Sequence, residues 1–231
     1  MPTDDPGEIF DLCTPDGRPL GQTKARALVH RDGDWHRSLH LWVVLTSTTP
    51  PSILLQRRSL TKDTHPGKVD VSVAGHLHVG ESVADALREA DEEIGLVVGP
   101  SDVIRLGVRR RVDARPPAHL DREVQEVLCT FTRRALESFR PDPDEVRGLL
   151  AVPLPAALKL VRDGKRATGL EIRSGETSVR AVSLARDELL PDPDGYFAVA
   201  IDGIARRLSG AIEPPWLMDG ADDGTARDQT R

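Results

Sequence analysis

The stretch GHLHVGESVADALREADEEIGL, Gly75 to Leu96, sets Glu89, Glu92 and Glu93 within five residues of one another, shortly after Glu81. Helical periodicity decides what this can be. At 100° per residue, Glu92 falls at about −60° from Glu89, Glu93 at about +40° and Asp85 at about −40°. Val83, Leu87, Ala90 and Ile94 gather between about 100° and 160°. The spacing therefore predicts one helix, Val83 to Ile94, with an apolar face beside a carboxylate face, closed by Gly95. Ser82 is a candidate N-cap, with Asp85 as a partial capping box. Carboxylates at i,i+3 and i,i+4 repel one another. A hard divalent cation such as Mg²⁺ relieves that repulsion, because it takes oxygen ligands and shares them with substrate phosphates. Arg88 is placed to hold a neighbouring carboxylate, and the glycine-containing loop AGHLHVGE leads into the helix.

The rest of the chain reads as a mixed α/β protein. The segment from Glu8 to Leu45 suggests a strand, a turn at PDG (Pro15 to Gly17) and a short strand, then the strand SLHLWVVL. SILLQRR follows across the polar turn TSTTPP, and KVDVSVAGHLH alternates Val69, Val71 and Val73 with polar neighbours as a half-buried strand does. DVIRLGVRRRVDA, REVQEVLCTFTRRA and TSVRAVSL read as further strands. DPDEVRGLLAVPLPAALKLVRDG reads as a short strand and a helix, and GYFAVAIDGIARRLSG as a helix. The expected layout is residues 1–35 as N-terminal strands flanking the domain, 36–218 as the domain with its C-terminal helices, and 219–231 as a polar disordered tail.

Charge and composition exclude several classes. The chain has 231 residues and a net charge of −6, which offers no general attraction to nucleic acid polymers or anionic membranes. Arginines cluster at 57–58, 109–111, 133–134 and 206–207, and a guanidinium fork suits phosphate oxygens. Two cysteines, Cys13 and Cys129, are too few for a disulfide framework or a thiolate zinc site. MPTDDPGEIF lacks the pattern of a signal peptide, and LHLWVVL is too short to span a bilayer. A cytoplasmic protein is expected, and a homodimer is left open.

Gly75, Glu81, Arg88-Glu89, Glu92-Glu93 and Gly95-Leu96 together resemble the Nudix box, G-x5-E-x7-REUxEExGU with U aliphatic. KDTHPGKVDVSVAGHLHVGES and the N-terminal segment are similar to the branch near isopentenyl-diphosphate isomerases. The box departs from the pattern once: six residues, not seven, separate Glu81 from Arg88. The resemblance implies an α/β/α sandwich with a mixed sheet and a small N-terminal β appendage.

It also implies hydrolysis of a diphosphate bond in a small nucleoside-diphosphate-linked substrate, with Mg²⁺ or Mn²⁺ as cofactor. Glu89, Glu92 and Glu93 would be metal ligands, joined by the Gly75 carbonyl and Glu81, and Arg88 would orient the glutamates. The base would be a glutamate of the box, Glu92 or Glu93, or one from a later strand, Glu123 or Glu126. An odd offset puts these two on opposite faces, so only one faces the site; Glu126 is favoured. Arg57 or Arg58 would reach the substrate phosphates. His76 and His78 are polar loop residues or a second metal-binding pair, and Trp35 and Trp42 stack on a base or fill the core. Two alternatives stand beside the hydrolase. An isomerase needs a positioned acid-base cysteine where this chain reads Val73-Ala74-Gly75-His76. A non-catalytic ligand-binding module has no need of an intact REAxEExG.

Overall fold

The computed structural model describes Asp5 and residues 7–115 and 119–220. The N-terminal strands β1 (Ile9–Cys13) and β2 (Pro19–Ala25) form a hairpin turned at Gly17, whose φ of 80° lies in the left-handed region. A short helix, α1 (Arg26–Asp32), follows where the sequence suggested only strand and turn. Next come β3 (Trp35–Leu45), β4 (Ser52–Arg58), β5 (Val69–Asp70) and β6 (Val73–His76). The acidic helix α2 (Arg88–Ile94) is followed by β7 (Val103–Arg115), β8 (His119–Thr132) and β9 (Val146–Pro153). The remainder is α3 (Leu154–Asp163), β10 (Ala167–Arg173), β11 (Arg180–Leu184), α4 (Tyr196–Leu208) and β12 (Trp216–Asp219).

The main sheet runs β11-β10-β9-β4-β3-β8-β7-β12, mixed in direction because β3 pairs β8, and β7 pairs β12, in parallel. β3 organises it. One edge pairs with β8 along its whole length. The other is shared in turn by β1 at His36, β6 at Ser38–Leu41 and β4 at Val43–Leu45. The single strand expected at KVDVSVAGHLH is therefore two: β5 stays on β4, and β6 crosses to β3. Ser72 spans the break. Its hydroxyl accepts from the Val43 N–H at 2.7 Å and donates to the Leu54 carbonyl, satisfying backbone groups that the parting strands leave open. The splay opens a cleft.

The apolar run of β3 is buried on both faces, as expected of a central strand. Trp42 and Val44 pack with Ile53, Leu55 and Leu150 beneath α3 and α4. Leu39, Leu41 and Val43 pack with Leu54, Leu149, Leu87 just before α2, and Ala90 and Ile94 on α2. The result is the expected α/β/α sandwich. β10 escaped the sequence reading because its pattern is inverted: Leu170 points out while Glu171 is buried between Arg57 and Arg180. At the C-terminal end, β12 and Gly220 pair with β7, so Asp219 and Gly220 are ordered against the sheet; residues 221–231 of the expected tail lie outside the described residues.

Candidate active site

Ser82 and Asp85 bond reciprocally, with Oγ to Oδ2 at 2.6 Å and the Ser82 N–H to Oδ2 at 2.9 Å, as a capping box requires. The α-helical turns begin later than expected, at Arg88, after a tight 3₁₀ turn at Asp85–Leu87. Gly80, at φ 76°, makes the bend before it. The apolar stripe still faces the sheet.

Arg88 gathers the carboxylates. It donates to Glu81 at 2.8 Å, Glu89 at 2.7 Å and Glu92 at 2.8 Å. Glu81 also accepts the His78 N–H at 2.8 Å, which closes the loop onto the helix. Glu89 and Glu93 line the cleft where the strands part, whereas the Glu92 side chain stays at the rim, 59% exposed. Burial, then the neighbouring Glu89 charge, pushes Glu93 well above the usual carboxylate range; burial also raises Glu89 against the pull of Arg88. Gln56 donates to Glu93 at 3.4 Å. Gly75 explains the box glycine: a Cβ there would sit 2.5 Å from Glu89 Cδ. Two inward carboxylates with raised pKa values, over a strand stripped of its side chain, fit a hard cation.

A second cluster shares the cleft. His30 comes from α1, His36 from β3, His76 from β6, and Asp121 and Glu123 from one face of β8. Phe10 stacks on His36 at 5.0 Å and on His76 at 4.6 Å between ring centres, so the N-terminal hairpin fixes both imidazoles. His36 Nδ1 lies 3.2 Å from the Asp34 carbonyl, which can only accept, so Nε2 is the lone-pair nitrogen. That Nε2 is buried with no hydrogen-bond partner among the described residues, 3.5 Å from Asp121 Oδ1. Burial lowers the His36 pKa to about 4 and raises Asp121, beside Glu123, to about 7. Burial opposes ionisation of Glu123 too, but His76, 3.2 Å away, and the charge of Arg111 outweigh it and hold that carboxyl low. His30, His36 and His76 form one group of ligand atoms within 4.8 Å of each other, and His36, Asp121 and Glu123 another. Imidazole and carboxylate together suit a borderline cation such as Zn²⁺.

The other sequence candidates divide cleanly. Glu123 faces the cleft; Glu126, the favoured partner, points away and is held by Arg105 at 2.9 Å. The 11-residue parallel register of β8 against β3 sets that parity. Arg58 lines the cleft beside Asp70, while Arg57 turns to Glu171 and Glu188 on the far face. His76 and His78 part company, because β6 ends at His76 and His78 swings out to Glu8 at 2.9 Å. Trp42 is in the core against Tyr196 and Phe197, and Trp35 is half-buried outside the cleft. The sequence reading missed Arg26, His30, His36, His40 and Asp121. Isolated polar residues on three separate elements carry no shared spacing that would have found them.

A NUDIX domain model matches residues 36–169. The chain belongs to the Nudix family. It is 30% identical over 198 residues to an uncharacterized Nudix hydrolase of Clostridium acetobutylicum, covering 84% of this chain and 95% of that protein. Nudix hydrolase 3 of Arabidopsis thaliana is 46% identical over 90 residues, 38% of this chain but 11% of the plant protein. An isopentenyl-diphosphate Delta-isomerase of Mycolicibacterium vanbaalenii is 29% identical over 155 residues, 66% of this chain and 81% of the isomerase. A crystal structure of a Deinococcus radiodurans protein superposes with a TM-score of 0.50 at 18% identity, covering 68% of this chain and 91% of that one, a likeness of fold. Among the described residues, no helix of this Nudix protein is long and apolar enough to cross a membrane.

Proposed function

We propose that this Nudix protein is a divalent-cation-dependent hydrolase that cleaves a diphosphate bond in a small nucleoside-diphosphate-linked substrate. The observation that carries the reading is Glu89 lying against Gly75 with Glu93 in the same cleft at the mouth of the strand splay, and Arg88 tying Glu89 to Glu81 and Glu92. Glu89, Glu93 and the Gly75 carbonyl would hold Mg²⁺ or Mn²⁺, with Glu81 and Glu92 reaching it from the loop and the rim. The cation, when bound, neutralises charge building on the phosphoryl oxygens. Arg58 and Lys62 on the cleft wall would meet the phosphates, and Arg88 would keep Glu89 turned inward. The proton of the attacking water would pass to a carboxylate of the cleft, Glu93 by its enclosure, rather than to Glu126, which lies outside it. The deciding experiment is a hydrolysis screen with Mg²⁺ and Mn²⁺ across nucleotide sugars, dinucleoside polyphosphates, nucleoside triphosphates and dinucleotides, with product identification. Absence of turnover across the panel would overturn the reading.

The isomerase alternative lacks its thiol. Ala74 occupies the cleft position next to Gly75, and both cysteines lie away from the cleft. Burial raises Cys13 to about 11 and Cys129 to about 12, which makes both poor proton donors and nucleophiles near neutral pH.

A further inference from the structure

β3 sends Ser38 and His40 to the same side of the sheet, onto the cleft floor opposite His76 and Ala74 of β6. Neither residue belongs to the ligand clusters described above. Trp42 Nε1 donates to Tyr196 Oη at 2.9 Å, and the same oxygen lies 3.0 Å from His40 Nδ1. An indole N–H only donates, so Tyr196 accepts from Trp42 and satisfies its own proton by giving it to His40. That makes Nδ1 the acceptor nitrogen and leaves the proton on Nε2. Burial lowers the His40 pKa to about 4, against the pull of Asp70 and Glu123, so the ring is neutral. The Tyr196 ring is itself clamped: the Arg109 guanidinium lies 4.2 Å over it, and Arg109 makes a two-pronged bond to Asp194 at 2.7 and 2.8 Å. Nε2–H is thus a preset neutral donor with no protein partner among the described residues. Two residues away, the Ser38 hydroxyl is buried and has no hydrogen-bond partner among those residues either. An unmet buried hydroxyl is costly unless something else meets it.

We propose that His40 Nε2–H and Ser38 Oγ seat a neutral, hydroxyl-bearing part of the substrate, a sugar ring, rather than its phosphates. This rests on the hydrolase reading above. A hydroxyl both donates and accepts, and the floor offers it both partners: His40 as donor, Ser38 as either, and the carboxylates Asp70 and Glu123 close enough to influence His40 as acceptors. A phosphate offers only acceptors: against Glu123 and Asp70 it would meet like charges, whereas Arg58 and Lys62 on the cleft wall suit it. Tyr196 and Trp42 are positioning residues that hold the His40 tautomer.

The test is calorimetric titration, with Mg²⁺ present, of ADP-ribose, UDP-glucose and inorganic pyrophosphate into wild type, His40→Phe and His40→Gln. The glutamine keeps an N–H near the Nε2 position. His40→Phe is expected to weaken at least one sugar ligand about tenfold, the scale of one lost hydrogen bond, with pyrophosphate unchanged and His40→Gln restoring most of the loss. Imidazole ¹⁵N spectra should place the wild-type proton on Nε2 and lose that preference in Tyr196→Phe, whether or not any ligand binds. Equal weakening of pyrophosphate puts His40 on the phosphates and overturns the proposal. So does sugar binding that ignores His40→Phe, or a wild type that takes pyrophosphate but neither sugar ligand. A wild type that binds none of the three and hydrolyses nothing sinks the hydrolase reading, and this assignment with it.

Discussion

Glu89 lies across Gly75 so closely that a methyl group on residue 75 would meet its Cγ at 2.6 Å and its Cδ at 2.5 Å. The glycine is there for the glutamate's sake, since its φ lies outside the left-handed region and its backbone would accept alanine. Gly75→Ala should therefore fold, with a stability cost of about 1–3 kcal/mol from overpacking. It should displace the Glu89 carboxylate, weaken Mg²⁺ binding at least tenfold and lower kcat. Titration of Mg²⁺ followed by calorimetry checks this. Unchanged metal affinity would mean that Glu89 is not a ligand.

Activity should vanish in excess EDTA and return with Mg²⁺ or Mn²⁺. The motive is the inward pair Glu89 and Glu93, whose pKa values are raised first by burial, so that a cation beside them favours their ionised form. Full turnover in chelator would exclude the mechanism as stated.

Glu93→Gln should lower kcat by about two orders of magnitude, the scale of losing one charged group that stabilises the transition state. Glu92→Gln should cost less, because Glu92 sits exposed at the rim on Arg88. The stability signature has a definite sign. Glu93 is raised in the folded protein, so its protonated form is favoured there. Its contribution is most favourable below the ordinary glutamate pKa and is lost as pH climbs from there through the raised value. In metal-free buffer the wild-type Tm, measured relative to Glu93→Gln, should thus fall as pH rises above about 4.5, leaving Glu93→Gln the higher-melting protein at neutral pH. Thermal scans across pH, beside kinetics, separate this from simple unfolding.

Glu81→Gln should cost less in kcat than Glu93→Gln at the same Mg²⁺ concentration. Both Glu81 oxygens are already engaged, by Arg88 and by the His78 N–H. An amide keeps part of that bonding, so the loop should hold. A larger loss at Glu81 than at Glu93 would show that the shortened junction still delivers Glu81 to the cation.

The helix and its two faces were legible from residue spacing alone, because 3.6-residue periodicity maps sequence onto angle without reference to anything else in the molecule. So was the strand pattern of β3, β4 and β8, and the parity argument that only one of Glu123 and Glu126 could enter the cleft. Which one was not legible. That depends on how β8 registers against β3, a long-range pairing that no local pattern encodes. The same holds for the break between β5 and β6: alternation continues smoothly through Ser72, and only the competition of β4 and β3 for the strand parts it. Parting those strands makes the cleft. It also brings His30, His36, His76, Asp121 and Glu123 together from four elements, and leaves His40 with its tautomer set by a tyrosine 156 residues away. Local sequence determined the acidic helix and its likeness to a family; the cleft into which that helix turns its carboxylates was decided by tertiary pairing, because strands far apart in the chain had to choose their partners first.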